Sequence, residues 1–159
     1  VRGLLSAMVE EGGVNMVNAR SLAEERGITV TETTGAAAED YLNLLTVNVS
    51  TTAGTSLTSG TLFGKKDPRI VRIDKFRLEM LPKGHMALIH NIDKPGSIGQ
   101  IGVTLGRHNI NIGRMQVGQE EGGDRNIIFL TTDTPIPPAV ADELRALSLV
   151  KTVTPLEFV

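Results

Sequence analysis

An α+β fold in two small parts is what this sequence predicts, and three observations carry the prediction. A helical opening gives way to β-branched runs between Leu42 and Leu81; Pro82-Lys83-Gly84 then interrupts them. Beyond that break the pattern resets to strand, helix, strand, strand, helix, strand, a βαββαβ unit of the ferredoxin-like kind. The 159 residues therefore divide at 1–82 and 84–159, each part able to bury a modest core.

The elements follow from periodicity and punctuation. Leu4, Leu5, Met8 and Val9 recur at helical spacing over residues 2–11, and Gly12-Gly13 stops them. Asn18 is a suitable N-cap for a second helix ending at Gly27. ITVTETT, residues 28–34, alternates apolar and polar as a strand with one wet face does; AAAEDY after it reads as weak helix or turn. Strands are expected within 42–54, at 55–63, 69–73 and 76–81, with Gly-Lys-Lys-Asp-Pro and Asp-Lys supplying turns. After the break, strands are expected at 86–92, 110–119, 126–132 and 150–157, and helices at 96–108 and 137–147. Ile98, Ile101, Gly102 and Leu105 mark the buried stripe of the first helix; Val140, Leu144 and Leu147 mark that of the second.

Composition removes several function classes. A net charge of −2, 3% aromatic residues and no Trp give neither the field nor the stacking platforms that nucleic acid needs. Without cysteine there is no thiolate metal site, iron–sulfur cluster, disulfide or Cys nucleophile on these residues. No apolar run approaches the ~20 residues of a membrane span, and the opening residues do not resemble a signal peptide. No membrane or nucleic-acid partner is expected, and a cytoplasmic location is. The chain opens on Val, which suggests a piece of something longer.

No catalytic constellation emerges. Gly96, Gly99, Gly102 and Gly106 do not form G-x-G-x-x-G at a strand-to-helix turn, so they read as small residues letting a helix lie close to its sheet. No phosphate loop or paired-histidine zinc motif occurs. His85 and His90 have opposite strand parity, and His108 sits at a helix C-terminus where positive charge is favourable. Catalytic residues and metal ligands are accordingly expected to be absent. The cations Lys65, Lys66, Arg69, Arg72, Lys75 and Arg77 read either as a solvated strand-and-turn surface or as an anion pocket.

LIHNIDKPGSIGQIGVTLGRHNINI, residues 88–112, is richer. Parity puts Asn91 and Asp93 on one face at a strand's end, just before Pro95-Gly96 opens a helix. The N–H groups around Gly96, Ser97 and Ile98 suit a carboxylate, while Asp93 suits an ammonium and Asn91 and Asn111 can donate or accept. Together these chemistries would hold an amino acid. Turn formation and capping account for the same residues equally well.

NIDKPGSIGQIGVTLGRHNINI resembles the signature of ACT domains, the βαββαβ ligand-sensing modules of amino-acid metabolism. GLLSAMVEEGGVNMVNARSLAEERGI and SGTLFGKKDPRIVRIDKFRLEMLPKGHM resemble the domain before it in long-form D-3-phosphoglycerate dehydrogenases, the allosteric substrate-binding domain. The resemblance implies an α+β pair, a small allosteric substrate-binding-type domain shortened at its N-terminal side followed by an ACT domain. It implies a regulatory part of an NAD-dependent enzyme in L-serine synthesis, with the hydride-transfer domain and any cofactor outside these residues. It further implies that L-serine, or a similar small amino acid, binds between ACT domains of a dimer or tetramer. By motif, Asn91 and Asp93 come from one copy and Asn111 from the other, with the helix start at Gly96, Ser97 and Ile98 completing the effector site. The family's anion-binding lysine falls on Arg69, with Lys83 as a second cation. The regulatory region of an iron–sulfur L-serine dehydratase and a structural module without ligand are the competing readings.

Overall fold

The computed structural model describes residues 1–6, 8–9, 13–35, 41–120 and 123–158. The chain forms two compact units, Val1–Ala38 and Glu39–Val159.

The first unit holds α1 (Arg2–Ser6) and α2 (Ala19–Glu25), around Leu5, Ala19 and Ala23, with Val14, Leu22, Ile28 and Val30 packed against them. The opening helix is described over Arg2–Ser6; of the expected 2–11, residues 7, 10 and 11 lie outside the described residues. Asn18 does not cap α2 with its side chain. Its amide donates to the Gly13 carbonyl and its Oδ1 accepts the Asn15 N–H, so the side chain closes the preceding turn instead. Gly27 does follow the helix in the left-handed region at φ +70°, and the Ile28 N–H donates back to Ala23. Residues 28–34 form no strand. Ile28 and Val30 use their alternation to pack on the helices, and no neighbouring strand among the described residues pairs with that backbone. The AAAEDY stretch lies almost wholly outside the described residues.

The second unit contains two four-stranded antiparallel sheets. The first is a meander of β1 (Leu45–Thr51), β2 (Gly54–Phe63), β3 (Asp67–Ile73) and β4 (Phe76–Met80) in sequential order. Its last turn is fixed by Asp74, at φ +48°: its carboxylate accepts the Leu57 N–H at 2.8 Å, and its own N–H donates to the Leu57 carbonyl. The second sheet is ordered β6-β7-β5-β8, from β5 (Gly84–Ile92), β6 (Ile112–Gln119), β7 (Arg125–Thr132) and β8 (Val150–Phe158). With α3 (Ser97–Arg107) after β5 and α4 (Pro138–Arg145) after β7, this is the expected βαββαβ arrangement.

Strand alternation in β5 and β7 serves two cores. Ala87, Ile89, Ile128 and Leu130 point to one side and meet Ile101, Leu105, Val140 and Leu144 of the helices. Met86, Ile127 and Phe129 point to the other and meet Phe76 and Met80 of β4. Strands buried on both faces should be nearly continuous in apolar residues, and residues 127–130 of β7, Ile-Ile-Phe-Leu, are.

The buried stripe of α3 differs from the expected one. Ser97, Ile101, Thr104 and Leu105 are buried, while Ile98 is 43% exposed. The helix glycines are not packing positions: a methyl group added at Gly99, Gly102 or Gly106 would meet nothing within 4 Å. Thr104 and Ser97 take the inward places because they are small enough to pack close to the sheet, which turns the glycines outward.

Candidate functional site

The strands β5, β6 and β7 end together around Asp93. Asp93 follows β5 directly, its N–H donating to the Asp124 carbonyl at 2.8 Å just ahead of β7. Both oxygens of its exposed carboxylate are held: Oδ1 accepts from the Asn126 amide at 3.0 Å, and Oδ2 from the Gln119 amide at 3.1 Å. Asn126 opens β7 opposite Asn91 in the β5–β7 register, and Gln119 closes β6 opposite Asn126. Asn91 and Asp93 are thus joined through Asn126.

Two features of this cluster go beyond turn formation. Asn91 and Asn126 are each only 1% exposed, and the Oδ1 of each is buried without a hydrogen-bond partner. The Asn91 amide is spent on the Ile92 carbonyl at 3.0 Å. A buried acceptor with no donor costs about 1–3 kcal/mol, so two side by side are expensive on strands whose buried side chains are otherwise apolar but for Thr132, which is itself hydrogen-bonded.

Beside the cluster the chain turns through Lys94-Pro95-Gly96. Gly96 has φ +91°, a left-handed conformation suited to glycine, and the helix starts at Ser97. Ser97 is buried and Ile98 exposed, so the first N–H groups of α3 lie at the boundary between core and solvent.

Asn111 lies elsewhere. It precedes β6, exposed, with its N–H donating to Asp133 Oδ1 at 3.0 Å and its carbonyl accepting the Asp133 N–H at 3.2 Å. Because β6 runs parallel to β5, Asn111 and Asp93 stand at opposite ends of the sheet. The seven strand steps from Ile112 to Gln119 put them roughly 23 Å apart at ~3.3 Å per residue. Within one chain the three residues do not meet. The outer edge of β6 carries no strand partner among the described residues, since β6 pairs only with β7.

The two expected anion-binding residues are also apart. Arg69 on β3 pairs with the Asp67 carboxylate, reaches Glu79 at 3.4 Å, donates to the Pro68 carbonyl and lies 5.5 Å from the centre of the Phe63 ring. The hydrogen bond to Asp67, with Glu79 behind it, raises the guanidinium pKa above its ordinary value. Arg69 is already neutralised. Lys83 instead borders a cavity of about 330 Å³ with Arg114, Gln116, Met86 and Phe129, from which Arg69 is absent.

The histidines are engaged structurally. His90 shares a hydrogen bond with Thr152 at 2.8 Å and meets Phe76 edge-on; burial pushes its pKa below the ordinary value, opposed by nearby Asp74. His108 follows α3 and bonds Glu143 at 2.6 Å, while His85 stands 3.5 Å from Glu157.

Sequence reasoning missed Gln119, Asn126 and Arg114. Asn126 carried a usable signal, as the polar residue introducing the apolar run Ile-Ile-Phe-Leu at a position of inward parity. Gln119 and Arg114 required the strand register.

Residues 1–74 match the D-3-phosphoglycerate dehydrogenase intervening domain, and residues 85–149 match the ACT domain. Curated relatives include the D-3-phosphoglycerate dehydrogenase of Methanocaldococcus jannaschii, 33% identical over 153 residues, 96% of this chain and 29% of that protein. The Archaeoglobus fulgidus enzyme of the same name is 37% identical over 151 residues, 92% of this chain and 28% of its own length. That of Synechocystis is 38% identical over 144 residues, 91% of this chain and 26% of its own. The chain thus spans less than a third of the relatives it matches.

Proposed function

Because this chain belongs, through both of its domains, to the D-3-phosphoglycerate dehydrogenase family, we propose that it is a regulatory part of such an enzyme and senses L-serine between two copies of its ACT domain. The functional division falls near Lys83, between an allosteric substrate-binding-type domain and the ACT domain.

One observation carries the reading: a polar cluster with open acceptors at one end of β6, Asn111 at the other, and an unpaired edge between them. Two β6 edges paired about a two-fold axis run antiparallel. Such pairing sets the second copy's Asn111 beside the first copy's Asp93, and does so twice. It also covers both open edges. Exposed apolar side chains on β6 and on the helix leading into it, Val117 at 39% and Val103 at 55%, support burial against a neighbour.

In that site each group has a chemical task. The Asp93 carboxylate takes the ligand's ammonium, and Asn91 with the second copy's Asn111 takes the side-chain hydroxyl. The N–H groups at Gly96 and Ile98 take its carboxylate beside Ser97, whose own N–H donates to the Lys94 carbonyl at 3.2 Å. Ligand binding then stabilises the paired state by mass action, and a link from pairing to the rest of the enzyme gives feedback inhibition. The α3 glycines lie along an outward helix face and not around a strand-to-helix phosphate turn, so they offer no cradle for the nicotinamide cofactor implied for the whole enzyme. No step through that cofactor is assigned to this chain. Hydride transfer from D-3-phosphoglycerate and a cytoplasmic location belong to the proposed whole enzyme.

The match of residues 1–74 to the intervening domain favours the dehydrogenase over the iron–sulfur L-serine dehydratase. The Lys83–Arg114 cavity supports an anion site, with Arg114 taking the role first expected of Arg69. Titration calorimetry with L-serine tests the main reading. Saturable heat from the wild-type chain that is strongly weakened by Asn111→Ala is expected; no saturable heat from the wild-type chain would favour the structural module, and equal affinity in the two would remove Asn111 from the site.

A further inference from the structure

The hydrogen bonds beneath Asp93 point to two residues that the effector-site motif does not contain. An exposed aspartate at a strand's end is ordinarily mobile, and would lose rotamer freedom when a ligand's ammonium settles on it. Here both carboxylate oxygens are already held, one from β7 by Asn126 at 3.0 Å and one from β6 by Gln119 at 3.1 Å. Those bonds leave lone pairs for an ammonium, because an ionised carboxylate has about four acceptor positions. The clamp is rooted in the fold, since Asn126 is 1% exposed and lies between Asn91 on β5 and Gln119 on β6 in register.

Asn126 is costly for a residue that only packs. It precedes four consecutive buried apolar side chains on β7, its side-chain amide donates to Asp93, and its Oδ1 has no partner among the described residues. Leucine of nearly the same shape would fill the position without any orphaned oxygen. We infer that Asn126 and Gln119 are positioning residues of the effector site, which fix the Asp93 carboxylate in advance for the ammonium group of an α-amino acid. The inference rests on the proposed L-serine site and deepens it.

The test separates donor from volume. Asn126→Leu and Gln119→Ala are compared with the wild-type 159-residue chain by L-serine calorimetry and by thermal unfolding. Asn126→Leu is expected to melt at or above the wild-type temperature yet bind L-serine about tenfold more weakly, as befits a lost hydrogen bond to a charged group. Gln119→Ala, at an exposed position, is expected to lose affinity several-fold with its melting temperature unchanged. The double variant should bind as poorly as Asp93→Ala. Wild-type affinity in Asn126→Leu overturns the inference while the L-serine site stands. Should that variant fail to fold, wild-type affinity in Gln119→Ala overturns it equally. An absence of L-serine binding by the wild-type chain removes the underlying site, and the inference with it.

Discussion

Replacing Gly118 by Ala probes how the two sheets of the second unit are held together. Gly118 lies on β6 where it faces β4. A methyl group there would stand 3.0 Å from the Arg77 carbonyl oxygen, 3.1 Å from Ile127 Cγ1 and 3.5 Å from Phe76 Cβ. Unstrained carbon–carbon contacts fall at about 3.5–4.0 Å, so β4 or Ile127 must retreat by several tenths of an ångström. Neither moves freely, because Arg77 contributes backbone and Ile127 is wholly buried in the cluster that joins the sheets. Overpacking of this kind costs about 1–3 kcal/mol. For a chain of this size each kcal/mol lowers the melting temperature by roughly 2–4 °C, so Gly118→Ala should melt about 2–12 °C below wild type by circular dichroism. An unchanged or higher melting temperature would refute the close approach of β4 to β6.

The opposite sign is expected in α3. Gly102→Ala enters open space within a helix and should gain about 0.5–1 kcal/mol, read as a higher melting temperature. Leu105→Ala empties a fully buried position in the helix-side core and should cost about 2–5 kcal/mol in denaturant unfolding. For His90, whose folded pKa is lowered chiefly by burial, the unfolded chain binds the extra proton first as pH falls. Its neutral form therefore contributes fully above the unfolded pKa of about 6.5, and that contribution shrinks as pH drops from there toward the folded value. The stability advantage of wild type over His90→Gln should narrow correspondingly between pH 7 and pH 5, and a constant difference would exclude the burial effect.

The βαββαβ order was legible in the sequence because β5, β7, α3 and α4 carry strong periodicity and clear breaks at Gly84, Pro95 and Pro137; that its strands serve a second core on the other face was not. The failures share a cause. Residues 28–34 alternate as a strand does, but alternation reports a buried face and cannot supply a pairing partner, so Ile28 and Val30 serve a helix pair instead. In α3, hydropathy favoured Ile98 and Gly102 as inward, whereas the small polar Ser97 and Thr104 are buried in their vicinity. Asn91, Asp93 and Asn111 stood out through local composition beside a Pro-Gly turn. Asn126 and Gln119 become visible only with strand register, which no local pattern encodes.

The central claim is that each effector site is shared between two copies, and mixing two defective variants tests it directly. Asp93→Ala and Asn111→Ala should each lose L-serine binding when alone. Once mixed and allowed to exchange, a heterodimer assembles one site from the intact Asp93 of one copy and the intact Asn111 of the other. Its second site lacks both. Calorimetry of the exchanged mixture should therefore recover binding of wild-type affinity at one site per heterodimer. No recovered binding after demonstrated exchange, or full binding by either variant alone, would contradict the shared site.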